Sequence, residues 1–76
     1  MMKVVEVHWI DAVFRDESVT AKTARAYRPQ KTTSVGLLVE QNDRVVVICQ
    51  SVDVSKELSE VLTIPSAIVT DVREYD

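Results

Sequence analysis

The stretch TSVGLLVEQNDRVVVICQS, running from Thr33 to Ser51, decides how this chain folds. Two runs of Val, Leu and Ile flank Gln41-Asn42-Asp43-Arg44, and an Asn-Asp pair tolerates the turn dihedrals of a tight connection. The reading is a β-hairpin. Gly36, the only glycine, lies inside its first strand. That placement predicts a bulge, a sharp bend or a close approach of backbones, as where a small sheet curls. Cys49 ends the apolar run Val45-Val46-Val47-Ile48-Cys49, which predicts a buried structural thiol. As the only cysteine, it has no partner for an internal disulfide.

Upstream, Val4 to Phe14 puts Val5, Val7, Trp9 and Val13 on one parity and Val4, Ile10, Ala12 and Phe14 on the other. This predicts a strand, covered on both faces in its second half. Asp16, Glu17 and Ser18 break the pattern. Thr20 to Tyr27 is alanine-rich and predicts a helix of about two turns, with Ser18 or Thr20 as N-cap. Pro29 disfavours helical geometry at Arg28 and ends it there. Downstream, Asp53 to Glu57 is a polar connection, Leu58 to Ile64 a strand, Pro65-Ser66 a turn, and Ile68 to Tyr75 the last strand. The predicted fold is mainly β, a five-stranded barrel or strongly bent antiparallel sheet with one short helix over about residues 20–27.

Composition agrees with one domain over residues 1–76. Only Trp9, Phe14, Tyr27 and Tyr75 are aromatic, so Val, Ile and Leu must fill the core, and β-branched side chains favour sheet. A domain this short buries only about 60% of the surface of its unfolded chain. Such domains are held by a metal, disulfides, very regular packing or self-association. With the first two lacking support here, a homo-oligomer is one of the remaining expectations. No signal-peptide pattern and no apolar run near the ~20 residues of a bilayer span are present. The expectation is a cytoplasmic protein without a membrane partner.

The closing stretch LTIPSAIVTDVREY resembles the end of Src-homology-3-like barrels, through Ile64, Pro65, Ser66, Ile68 and Val69. The resemblance implies a strand, a tight turn and a last apolar strand that close the sheet. It does not extend to the aromatic groove those domains use for proline-rich helices, since Trp9 is the only tryptophan. The order VEVHWIDA, a short helix ending in Arg28-Pro29, the Ser34-Val35-Gly36 hairpin and the Ile64-Pro65 closure resembles small proteins encoded by bacteriophages and prophages. This resemblance implies an accessory protein that binds and disarms a host component. No binding residue is transferred by it.

Catalytic chemistry needs a positioned acid, base, nucleophile or metal. One histidine, His8, shares a strand face with Glu6 and Ile10, and no recognisable motif pairs it with a serine or cysteine. His8 and Cys49, about forty residues apart, do not have zinc-ligand spacing. One glycine cannot build a phosphate loop. A non-enzymatic chain without a cofactor or metal is the expectation.

Charge is distributed unevenly. Residues 18–34 hold Lys22, Arg25, Arg28 and Lys31 with no acidic residue, a local +4, while five basic and twelve acidic residues leave −7 elsewhere. A helix reaching Arg28 would align Lys22, Arg25 and Arg28 on one face. With the Tyr27 ring and the hydroxyls of Thr32, Thr33 and Ser34, they make the set that a phosphate-bearing nucleotide needs. A solvated basic face balancing nearby carboxylates has the same pattern, and both readings stand. The net charge of −3 works against duplex nucleic acid.

The leading expectation is a phage-type accessory protein that antagonises host antiviral defence by sequestering a small nucleotide signal, with Lys22, Arg25, Tyr27, Arg28, Lys31 and Thr33 as contacts. The alternative is a protein-interaction module that inhibits or recruits a host protein through a sheet edge or an apolar patch around His8, Trp9 and Phe14. Single-stranded nucleic-acid binding is a third, weaker reading, because it requires aromatic platforms. Nucleic-acid mimicry by the acidic remainder is weaker too, because those charges are not blocked together.

Overall fold

Alternating apolar side chains build most of the molecule. In a computed structural model, which describes residues 2–75, β1 (Val4–Asp11), β2 (Gln30–Gln41), β3 (Val45–Cys49), β6 (Leu62–Pro65) and β7 (Val69–Glu74) form one antiparallel sheet in the order β6-β3-β2-β1-β7. A second ribbon pairs β4 (Ser51–Val52) with β5 (Leu58–Ser59), and the helix α1 spans Ala21–Ala26. The chain is mainly β, but the described residues form seven strands in two sheets rather than five in one.

The hairpin forms where its sequence predicts. Asn42 Oδ1 accepts hydrogen bonds from the amides of Arg44 and Val45, at 2.8 and 2.9 Å. The Ser66 hydroxyl donates to the Asn42 carbonyl at 2.8 Å, tying this turn to the turn after β6. Register shifts between Leu38 and Glu40.

β6 and β7 lie at opposite ends of the strand order, yet only the 3-10 turn Ser66–Ile68 joins them. So short a link requires the sheet to curl. The two strands do not pair with each other, so the barrel is not closed and the bent-sheet form of the expectation is the one observed. The curl encloses Val5, Val7, Val46, Ile48 and Ile64, with Trp9, Leu38, Ile68, Val69 and Val72 packed around them. Each fully buried Val or Ile contributes about 1.5–3 kcal/mol. Cys49 is buried beside this core as a free thiol.

Gly36 does not adopt a positive φ. Of the three roles open to it, close approach is the observed one, because a Cβ there would meet the Cys49 carbonyl.

Two of the expected strands have different bounds. β1 stops at Asp11, and Ala12, Val13 and Phe14 are exposed beyond it, so the covering of both faces does not occur. The strand expected over Leu58 to Ile64 divides into β5 and β6, with Glu60 between them at φ 55. The polar connection expected over Asp53 to Glu57 is present, as the turn of the β4–β5 ribbon, held by Asp53 Oδ1 accepting from Ser55 and Glu57 amides and the Ser55 hydroxyl.

Two segments stand off the sheet. Between β1 and β2 every residue from 12 to 26 is exposed, and α1 buries none of its side chains. The β4–β5 ribbon is the second. The radius of gyration is therefore 15.8 Å, where a compact domain of this length has about 11 Å. Exposed surface is 6029 Å² for 8.6 kDa, against about 4,700 Å² for a compact monomer. No helix is long and apolar enough to cross a membrane among the described residues.

Candidate functional site

The strand pairing splits the predicted contacts into three groups. Register sets His8 opposite Thr33 and Ile10 opposite Lys31. His8, Trp9, Lys31 and Thr33 thus meet, with Ile10, Thr32 and Thr70, around an open cleft of about 300 Å³. That is near the lower limit for small-molecule sites. Residues expected in two separate places, a basic edge and an interaction surface, come together here.

Lys22, Arg25, Tyr27 and Arg28 do not line this cleft. The helix ends at Ala26, with Thr20 as its N-cap and extended backbone at Tyr27. Arg28 therefore lies outside the helix face expected to carry it. Its Nη1 donates to the carbonyls of Arg25 and Tyr27, at 2.9 and 3.0 Å. The guanidinium completes the helix end, where free carbonyls attract a cation. Tyr27 is also engaged: its ring lies 4.4 Å from the Arg15 guanidinium carbon and its hydroxyl donates to Glu17 at 3.1 Å. These bonds fix the arm's shape and occupy two of the groups expected to hold a nucleotide.

Phe14 forms the third group, 88% exposed on the same arm. Trp9 is half-buried against the core, its Nε1 donating to Ser34 Oγ at 3.1 Å.

Around His8 a chain of hydrogen bonds crosses the outer sheet face. The Tyr75 hydroxyl donates to Glu6 Oε1 at 2.7 Å, Glu6 Oε2 pairs with His8 Nε2, and Thr33 Oγ1 lies 3.3 Å from His8 Nδ1. Glu6 is held below the usual carboxylate range first by the Tyr75 hydrogen bond and then by that of His8. Tyr75 is correspondingly raised, chiefly by its bond to Glu6. Carboxylate, imidazole and hydroxyl in sequence are the residue types of an activated nucleophile. Acyl transfer also needs N–H donors aimed at the developing oxyanion. Here β1 is committed to ladders on both sides, with β2 and β7.

Glu6 was legible as a face-mate of His8 through the period of two. Thr70, whose hydroxyl donates to the His8 carbonyl at 3.1 Å, and Tyr75 were not, because they arrive through β7.

A second depression, of about 670 Å³, is lined by Met2, Lys3, Leu37, Leu38, Val52 and Lys56. Comparison with protein-family models, curated proteins and solved structures gives no match. Function therefore rests on the residues.

Proposed function

We propose that this chain is a non-enzymatic protein-binding module whose contact surface is centred on the arm bearing Phe14. The observation that carries this reading is Phe14 itself, 88% exposed on a segment of which residues 12–26 bury nothing. A large aromatic held in water on a braced arm gains free energy only when a partner covers it. The surface excess over a compact monomer points the same way. The resemblance to phage-encoded proteins supplies the context: an accessory protein that disarms a host component in the bacterial cytosol. A Src-homology-3-like ancestry is part of the proposal, supported by the Ile64-Pro65-Ser66 turn that leads from β6 into β7.

The reading is tested by immobilising wild type and Phe14→Ala and comparing what each retains from host extract. A protein retained by wild type and lost with Phe14→Ala supports it. Identical profiles would sink it.

The cleft favours a second reading, capture of a small phosphate-bearing nucleotide. Lys31, Thr33, His8 and Trp9 offer a cation, a hydroxyl, an imidazole and a ring at one opening. Its support is thinner, because Thr32, Thr33 and Thr70 already have hydrogen-bond partners within the chain. Calorimetric titration with linear and cyclic nucleotides decides it, and absence of heat removes it.

A further inference from the structure

We infer that the depression between Lys3 and Lys56 receives the Phe14 arm of a second copy of this chain. The inference rests on the protein-binding reading and names its partner. The depression combines an apolar floor, Leu37, Leu38 and Val52, with two lysines, Lys3 and Lys56, as its only charged lining residues. Asp53 and Glu57 neighbour Lys56 in sequence but do not line it. Lys3 already reaches Glu74 at 3.0 Å, whereas Lys56 makes no ion pair among the described residues. The arm DAVFRDE, residues 11–17, offers the complement: Phe14 for the floor and Asp11, Asp16 and Glu17 against the single cation Arg15. Arg15 lies over the Tyr27 ring, and the cations Lys22 and Arg25 lie beyond this stretch, on α1.

The chain cannot fill its own depression. The arm leaves β1 at Asp11, while Leu37 pairs with Val4 at the strand's other end. Eight residues of strand separate the two ends by roughly 25 Å, and Phe14 lies only three residues beyond Asp11. An antiparallel pair about a two-fold axis satisfies both depressions and leaves no open contact.

Sedimentation equilibrium on the full chain, with circular dichroism to confirm folding, tests the inference. Wild type is expected as a dimer at micromolar concentration. Phe14→Ala, a change at an exposed position, is expected to weaken the dimer at least about tenfold. Lys56→Glu should weaken it at low salt, and adding Asp16→Lys should restore it. A monomeric wild type, or a dimer indifferent to Phe14→Ala, overturns self-docking. If wild type is monomeric yet retains a host protein through Phe14, the protein-binding reading stands and only the second copy falls.

Discussion

A Cβ on Gly36 would lie 2.8 Å from the carbonyl oxygen of Cys49, one strand away in the sheet. The same atom would come within 3.3 Å of Gln50 Nε2 and Ile48 Cβ. The amide end of Gln50 can swing aside, but the carbonyl is held in the β2–β3 ladder. Gly36→Ala is therefore expected to lower stability by about 1–3 kcal/mol, as overpacking does, despite the ~0.4–1 kcal/mol gained by stiffening the unfolded chain. Urea denaturation measures the difference. An unchanged or raised midpoint would mean that the strands do not approach this closely.

Asn42 serves two connections through separate atoms. Its side chain takes the Arg44 and Val45 amides, and its carbonyl takes the Ser66 hydroxyl. Replacement by alanine keeps the second contact and removes the first, with an expected cost of about 1–2 kcal/mol. Ser66→Ala should cost less, because only one exposed hydroxyl bond is lost. Equal losses in the two variants would contradict this division.

The Tyr75–Glu6 hydrogen bond makes stability depend on pH at both extremes. Glu6 is depressed from its ordinary 4.5, first by Tyr75. Its contribution is in place above that value and is lost as pH falls through the folded-state pKa. Tyr75 is raised above its ordinary 10.0 by Glu6. Its contribution is complete below that value and is lost as pH rises through the folded-state pKa. Thermal midpoints of wild type and Tyr75→Phe should therefore diverge least at the extremes and most between them. Parallel curves across the whole range would refute the coupling.

Cys49 has no solvent exposure, so a disulfide reagent can reach its thiol only when the sheet opens. Labelling of the native protein should be slow and limited by unfolding, and faster in Gly36→Ala. Rapid stoichiometric labelling of the native protein would count against the arrangement of β3.

Lys31 and Arg28 separate the two accounts of the basic segment. If the cleft binds a nucleotide, Lys31→Ala should abolish the calorimetric signal. Arg28→Ala should preserve it while reducing helical ellipticity, because Arg28 is spent on the carbonyls of Arg25 and Tyr27. Loss of binding in Arg28→Ala with Lys31→Ala unaffected would return the site to the helical edge.

How far the sequence could be read depended on the range of the interaction. The hairpin at Asn42, the helix after Thr20 and the buried Cys49 all follow from neighbours within a few positions, and each is present. The early end of β1 was hidden because Ala12, Val13 and Phe14 are apolar, and an apolar run reads as strand whether or not anything covers it. The break at Glu60 was hidden because nothing in Ser59-Glu60-Val61 marks a left-handed backbone. For the site, spacing alone suggested one basic face. Termination of α1 at Ala26 and the pairing of β1 with β2 instead set Lys31 and Thr33 beside His8. Periodicity does not reveal which strands pair.

The placement of β7 against β1 has a consequence for synthesis. β1 receives its outer neighbour only from β7, about sixty residues later in the chain, since Val5 is opposite Glu74. A nascent chain stopped before Val69 can form the central hairpin but has an unpaired edge along β1, with Val5 and Val7 lacking part of their cover. Such an edge is a template for strand addition by another chain. Chaperone demand during translation should therefore persist until β7 emerges, however early the hairpin forms.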